Sequence, residues 1–491
     1  MSVSADPKSF ARTTFRIVGW LFCLEIVSGI IQGYYVPLIP TLVDHLGITD
    51  AEFNWFEAGQ LLISAITVPL LAKLGDMYGH KRILLISTVI TGAASWWLAF
   101  AGDFTTFLIA WSIAGVYAVW LPLEIALIFD RGRSTSVGAA TTRRAAGTLV
   151  VALEVGAIAG ALLGRRILDW TGHDVVLTMI WPAVATTLVF FAILFGVPES
   201  QRGGRRTLDW QGFAMLGIAL VAITAGLRFI STNGVQSWWA WIIVAVGFLL
   251  FLPFGRWELR QKDPAIDLRV LGQRTMWPVQ LTAGLIGISL LGAQAPLATF
   301  AATDPAEIVD GEPLGYGLGL DDTSLVIGGY LISLVIGALL FAILAKRIAP
   351  RVVLIGSAFL VAIGYFALIP LHGSLAEFLP ALFVAGLGCG ALVGALPATA
   401  AAAAPVGQTG VASALTNTTK TIGGSFASTV FGIVLATGVA SSVTTAASYS
   451  GYLTVWIVCG AGALAAAILL FLVPKDAFGE RLVDAPHAPL S

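Results

Sequence analysis

Three glutamates occupy positions where glutamate is costly. Glu25, Glu124 and Glu154 interrupt long apolar runs of a 491-residue chain. A carboxylate at the centre of a membrane helix costs about 2.5–3.5 kcal/mol on insertion scales, so such a residue faces a cavity or a partner. A carboxyl group held there can bind a proton from one side of a membrane and surrender it to the other. Glu25 is the first candidate for a proton or cation carrier. For Glu124 and Glu154 that role competes with structural pairing to Arg131, Arg133, Arg143 and Arg144. Glu57 falls near the outer end of its apolar run, where solvent exposure accounts for it. Further polarity for a cavity comes from Gln32, Tyr34, Tyr35, Gln60, Tyr117, Trp120, Gln280, Gln294, Tyr330 and Asn417. Aromatic rings beside a carboxylate suit amphipathic cations. The tryptophans include interface anchors as well, such as Trp238, Trp239 and Trp241. Lys420, one turn after Asn417, reads as a gate contact or a side chain snorkelling to the interface.

The elements that must carry these residues are helices crossing a bilayer. Hydrophobic residues make up 57% of the chain and charged residues 11%, against about 25% charged in an average soluble protein. Soluble, secreted, disordered and nucleic-acid-binding classes are thereby excluded, and a net charge of −1 offers no basic patch. Apolar runs read as spans over 14–39, 53–73, 83–101, 106–128, 146–164, 175–196, 211–229, 238–255, 277–301, 325–345, 352–370, 377–400, 410–436 and 451–473. Each is long enough to cross a hydrocarbon core of about 30 Å as a helix. The first run is too long for a cleaved signal and is expected to remain as a span. Of 27 basic residues, all but Arg165, Arg166, Arg228 and Lys420 fall on one side of that layout. Positive charge marks the cytoplasmic side, so both termini are expected there. The outer loop from Thr303 to Ser324 carries Asp304, Glu307, Asp310, Glu312, Asp321 and Asp322 and no basic residue. It reads either as an ordinary solvated loop or as an anionic vestibule. Cys23, Cys389 and Cys459 lie in apolar runs and are expected to be small buried hydrophobes.

The loop after the second span, AKLGDMYGHKRIL from Ala72 to Leu84, resembles the signature loop of the major facilitator superfamily, G-x-L-A-D-R-x-G-R-K-x-x-L. Leu74, Gly75, Asp76, Gly79, Lys81 and Leu84 keep the pattern, while Ala72, Met77 and His80 depart from it. Gly79 permits a tight turn, and Asp76 can accept hydrogen bonds at the N-terminus of a facing helix. The resemblance places that helix near Gly410 and implies a cytoplasmic latch. An equivalent loop, Ala342 to Arg351, keeps Leu344, Arg347 and Arg351, with Lys346 for the acid and Ala349 for the glycine. Pro198-Glu199-Ser200, LDWQG from Leu208, WELRQKDPAIDLR from Trp257 and GVASALTNTTKTIGGSFA from Gly410 together resemble the fourteen-span drug:proton antiporters of that superfamily. Gly156, Gly160 and Gly164 recur every fourth residue. They resemble an antiporter glycine motif and equally suit close helix packing. Trp111 stands where the family carries a fourth-span arginine, and Glu25 in CLEIVSGIIQG is similar to the first-span acidic motif.

The resemblance implies an all-α membrane protein with the major facilitator fold: two six-helix bundles and two extra helices between them, fourteen in all. The expected domains are 1–205, 206–272 and 273–491. The implied function is proton-coupled efflux of hydrophobic or amphipathic small molecules, drug- or antibiotic-like, by alternating access. The proton-coupling candidates are Glu25, Glu124 and Glu154; the gating candidates are Asp76, Gly79, Lys81, Arg347 and Lys420. The alternatives are the same fold exporting a lipid or dedicated metabolite, or a transporter without proton coupling. Expected partners are a small-molecule substrate, protons and the lipid bilayer of the cell membrane, with the chain acting as a monomer and no cofactor. The five histidines form no HExxH, and neither G-x-S-x-G nor an ATP-binding glycine loop occurs, so an enzyme is not expected.

Overall fold

The structure, a computed structural model, describes residues 7–132, 138–199, 207–305, 308–309, 312–345, 347–403, 409–436 and 446–473. Arg133, Ser200, Arg202, Arg205, Arg206, Glu307, Asp310, Lys346, Lys475 and Arg481 lie outside the described residues. So do the side chains of Lys8, Arg12, Arg16, Arg131, Arg143, Arg144, Glu312 and Asp321.

Fourteen helical segments are long and apolar enough to cross a membrane. We number them as spans in chain order. Span 1 is Ile17–Leu46, span 2 Asp50–Tyr78, span 3 His80–Ala99, span 4 Phe104–Ile128 and span 5 Thr148–Trp170. Span 6 is Val175–Gly196, span 7 Trp210–Asn233, span 8 Trp238–Glu258, span 9 Trp277–Ala302 and span 10 Asp322–Phe341. Spans 11 to 14 are Pro350–Leu368, Leu375–Pro397, Leu415–Ala436 and Tyr449–Leu472. Apart from a two-residue ladder pairing Ile308 with Pro313 and Val309 with Glu312, the described residues form no sheet. Large apolar side chains face outward in numbers that water would not tolerate. Phe195 is 81% exposed and Trp238 71%, as a lipid-facing surface requires.

Local chemistry starts the helices where the sequence provides caps. Thr49 and Glu52 form a reciprocal capping box on span 2. Asp103 accepts from the amides of Thr105 at 2.9 Å and Thr106 at 3.0 Å at the start of span 4. With the Thr106 hydroxyl also donating at 2.6 Å, the Asp103 carboxyl is held below the usual carboxylate range.

Three spans are broken in the middle. Span 1 passes from helix into a 3-10 turn at Val36–Leu38, span 4 into one at Gly115–Val119, and span 9 into a π turn at Ile288–Gly292. Pro37 and Pro40 lie at the first break, where a missing N–H and fixed φ favour a re-started helix.

Chain contacts define two compact units. One comprises Met1–Ile266, Leu291–Leu331 and Ser425–Val455; the other comprises Asp267–Leu290, Ile332–Gly424 and Trp456–Ser491. Within the first, spans 1 and 5 touch backbone to backbone. A side chain at Gly29 or Gly33 would collide with the main chain at Leu153 or Ala157. One at Gly156 or Gly160 would collide with the main chain at Ile26 or Ile30. The glycine stripe of span 5 therefore meets a second stripe on span 1, in the small-residue geometry of membrane helices.

Spans 7 and 8 form a hairpin tied to span 2 at both ends. At one end the Lys73 Nζ donates to the carbonyls of Asp263 at 2.6 Å and Pro264 at 2.8 Å. Asp209 caps span 7 through the Gly212 amide at 2.8 Å and takes the Trp257 indole N–H at 3.0 Å, so the LDWQG and WELRQKDPAID segments interlock. At the other end Arg228 lies 5.0 Å from the Trp55 ring centroid and 4.8 Å from that of Phe104. It also pairs with Glu52 at 3.9 Å.

Cys389 and Cys459 are buried, but Cys23 is exposed, contrary to expectation. Span 1 turns that face outward, and a thiol is apolar enough to remain there.

Gly160→Val should lower the thermal midpoint of the purified protein by several degrees, since overpacking costs about 1–3 kcal/mol. Gly356→Val, where an added side chain meets nothing within 4 Å, should leave it in place. Equal midpoints for the two variants would contradict the backbone contact.

Candidate functional site

The broken segments converge on one cavity. Its wall is made by Ile31, Gln32, Tyr35, Val36 and Ile39 of span 1, Glu57, Gln60 and Leu61 of span 2, Trp111 and Tyr117 of span 4, and Leu291 and Gln294 of span 9. Its enclosed space is about 70 Å³, below the range of about 300–1,000 Å³ for pockets that hold drug-sized ligands. All these residues belong to the first unit. Helix breaks of the 3-10 and π kind are common at functional positions, because they re-aim side chains that a regular helix would turn away.

Aromatic packing shapes the wall. The Tyr35 ring lies 5.0 Å from Trp111, which also packs on Phe53 at 5.6 Å and stacks on Phe107 at 5.5 Å. Trp111 thus fills with an indole the position where the resemblance looked for an arginine.

Beside this cavity, Glu25 of span 1 and Glu124 of span 4 are both 0% exposed. Their carboxyl groups lie next to each other. Among the described residues none of their four carboxyl oxygens has a hydrogen-bond partner. Tyr117 lies next to Glu25 and also lines the cavity. Glu154 is half-buried on span 5, engaged in an interaction of its own, and is not on the cavity wall.

Of the polar residues singled out in the sequence, Gln32, Tyr35, Gln60, Tyr117 and Gln294 come together on the wall. Tyr34 turns away and donates its hydroxyl to the Thr178 carbonyl at 2.8 Å. Trp120 is wholly buried, packing edge-on against Tyr117 at 6.1 Å. Tyr330 is buried and off the wall. Asn417 and Lys420 line a separate, smaller cavity in the second unit with Thr416 and Pro397. Gln280 is bound there by Thr416 at 3.2 Å and Thr419 at 3.4 Å. Glu57 reverses its expectation: it is 7% exposed, in the cavity wall, with the Ala295 backbone and Ser428 beside it. Its place near the end of an apolar run suggested solvent, but the outer part of span 9 covers it.

The signature loop is anchored to the end of span 6. Gly79 has φ 106°, and a side chain there would also meet the Glu199 carboxylate. Glu199 accepts from the Lys81 amide at 3.1 Å and pairs with Arg82 at 3.6 Å. The Lys81 Nζ donates to the Leu194 carbonyl at 2.8 Å. Asp76 pairs with His80 at 3.2 Å. The Pro-Glu-Ser segment signalled this anchor only as a family mark, not as a loop contact. Arg347 is exposed on the corresponding loop of the second unit. The side-chain surroundings of Gly410, the expected partner of Asp76, lie outside the described residues.

Fourteen helices of membrane-spanning length, with a polar and aromatic cavity where three of them break, suit a membrane transporter. A family model described as Major Facilitator Superfamily matches residues 21–257. It is 27% identical over 443 residues to the Puromycin resistance protein pur8 of Streptomyces alboniger, covering 85% of this chain and 80% of that one. It is also 27% identical over 423 residues to a Triacylglyceride transporter of Mycobacteroides abscessus, covering 80% and 77%. An autoinhibited peptide transporter of the POT family shares the fold, with TM-score 0.64 at 15% identity over 98% and 99% of the two chains. Several relatives are named as transporters, and the chain is not an enzyme.

Glu199→Ala should speed amide exchange across the 76–84 loop several-fold, while Glu199→Gln, which keeps an acceptor for the Lys81 amide, should preserve most of the protection. Hydrogen–deuterium exchange of loop peptides checks this, and unchanged exchange in the alanine variant would refute the anchor.

Proposed function

We propose that this chain is a proton-coupled exporter of hydrophobic or amphipathic small molecules, with Glu25 and Glu124 forming the proton site. The observation that carries the reading is the placement of two fully buried carboxyl groups next to each other, their oxygens without a hydrogen-bond partner among the described residues, beside the cavity. A shared proton on such a pair can leave only if charge reorganises around it, and a change in which face the cavity opens to supplies that change. One proton crossing about 100 mV releases about 2.3 kcal/mol, and a tenfold substrate gradient costs about 1.4 kcal/mol. One proton therefore sustains a useful gradient.

In this reading residues 1–205 and 273–491 are the moving halves, with 206–272 linking them. Asp76, Gly79, Lys81, Arg347 and Lys420 belong to the cytoplasmic gates. Tyr35, Gln60, Tyr117, Gln32 and Gln294 contact the substrate, and the chain works as a monomer in the cell membrane with both termini in the cytoplasm. Relatives named for puromycin and multidrug resistance support a drug- or antibiotic-like cargo. The relatives named as triacylglyceride transporters favour a second reading, in which the same cavity takes a lipid.

Everted vesicles provide the test. Glu25→Gln and Glu124→Gln should each lower pH-gradient-driven uptake from a drug panel at least tenfold, while substrate–substrate counterflow persists. Undiminished gradient-driven uptake in both variants would refute the proton site. Transfer of a labelled triacylglycerol without movement of any panel compound would decide for the lipid reading.

A further inference from the structure

A lysine near the end of a membrane span ordinarily reaches out to water and lipid headgroups. Lys73, at the signature-loop end of span 2, reaches sideways instead. Its Nζ donates to the carbonyls of Asp263 at 2.6 Å and Pro264 at 2.8 Å, in the turn that follows span 8. That turn is folded back onto the hairpin it leaves. Glu258, the last residue of span 8, accepts from the Ile266 amide at 3.2 Å. Asp263 accepts from the amide and the hydroxyl of Thr207, both at 3.3 Å, just ahead of span 7. The carbonyls that hold Lys73 are therefore fixed from both ends of the hairpin. Charge adds to the grip. Glu258 is 1% exposed, and its Oε1 has no hydrogen-bond partner among the described residues. Asp209 stands beside it. A Cβ at Gly212 would lie 2.1 Å from Glu258 Oε1 and 2.7 Å from Asp209 Oδ2, so only glycine leaves room for both carboxyl groups. Lys73 is close enough to bring its positive charge to bear on Glu258, and a buried acid that loses its counter-charge is costly. Farther along, Gly217 of span 7 faces Ile66 of span 2, and Arg228 meets Trp55 and Glu52. The hairpin thus follows span 2 from one end to the other. Lys73 precedes Asp76 by three residues, less than one helical turn, and Asp76 pairs with His80 of the signature loop. Whatever fixes Lys73 also fixes the start of that loop.

We propose that Lys73 is a positioning residue for the gate: held by the turn after span 8, it makes the inserted hairpin and span 2 move as one body and sets where Asp76 stands. This rests on the reading of the signature loop as a gate, but on neither proton coupling nor the identity of the cargo. A hairpin that served only as a linker would need no buried cluster of charges against one particular span.

The test uses the full chain reconstituted in lipid, with Lys73→Met and the charge-keeping Lys73→Arg. In hydrogen–deuterium exchange, Lys73→Met should speed amide exchange several-fold in two segments far apart in sequence, 258–266 and 76–84. Lys73→Arg should restore most of the protection in both. In puromycin counterflow, Lys73→Met should lower kcat at least fivefold and leave KM within twofold, because the gate is displaced and the cavity is not. Faster exchange in 258–266 with the 76–84 loop unchanged would overturn the proposal, since a purely structural Lys73 loosens only the turn it binds. An unaltered kcat would overturn it as well. Should Lys73→Met fail to fold, the comparison passes to Glu258→Gln, which keeps an acceptor for the Ile266 amide and removes the charge facing Lys73. The same two segments should then loosen together, and unchanged exchange in both would count against the proposal. Absence of puromycin movement in the wild type would refute the drug cargo, and the joint loosening of the two segments would still decide for or against the role of Lys73.

Discussion

A carboxyl group surrounded by apolar helices has no water to bind, and this constraint organises the first unit. Glu25 and Glu124 meet it side by side, their four oxygens buried and without a hydrogen-bond partner among the described residues. Neither span could bring its acid to that position alone. Span 1 is drawn against span 5 by facing glycines. Span 4 abandons regular helix over Gly115–Val119 shortly before Glu124. The same distortions open the cavity, since Tyr35, Val36 and Tyr117 lie at or beside the breaks. Packing, polarity and access to the site are therefore consequences of a single local arrangement.

Much of the fold was legible because a bilayer imposes simple rules. Fourteen apolar runs correspond to fourteen helices, and their ends differ by a few residues, as where 53–73 becomes Asp50–Tyr78. A run of apolar residues reports what surrounds a helix, which is the quantity hydropathy measures. The breaks inside spans 1, 4 and 9 left little trace in hydropathy, because apolar composition continues through them. Prolines stand beside all three: 37 and 40 at the first, 122 just after the turn at Gly115–Val119, and 296 just after the π turn.

The candidate site was only partly readable for a related reason. Sequence places an acid along a span but not around it. Glu25 and Glu124 stand out by depth alone, while Glu57 looks like an end-of-helix residue until the outer part of span 9 covers it. Tyr34 and Tyr35 are adjacent yet diverge: one ring braces Thr178 and the other faces the cavity. Tyr330 is buried off the wall, and Asn417 lines a cavity of the second unit. Glu199 went unassigned because its contact with Lys81 spans 118 positions in sequence. Among relatives named for an antibiotic and for a lipid at similar identity, such side-chain placements are where cargo can diverge while helices and glycines remain.

The central claim is that Glu25 and Glu124 hold a proton in common. Infrared difference spectroscopy on the reconstituted protein, taken between outward- and inward-directed pH gradients, observes that proton through the carboxylic C=O stretch. The account predicts a protonated-carboxyl band that shifts in heavy water and disappears in both Glu25→Gln and Glu124→Gln, because each removes the same shared bond. A band that survives either substitution unchanged, or two independent bands removed one at a time, would contradict it.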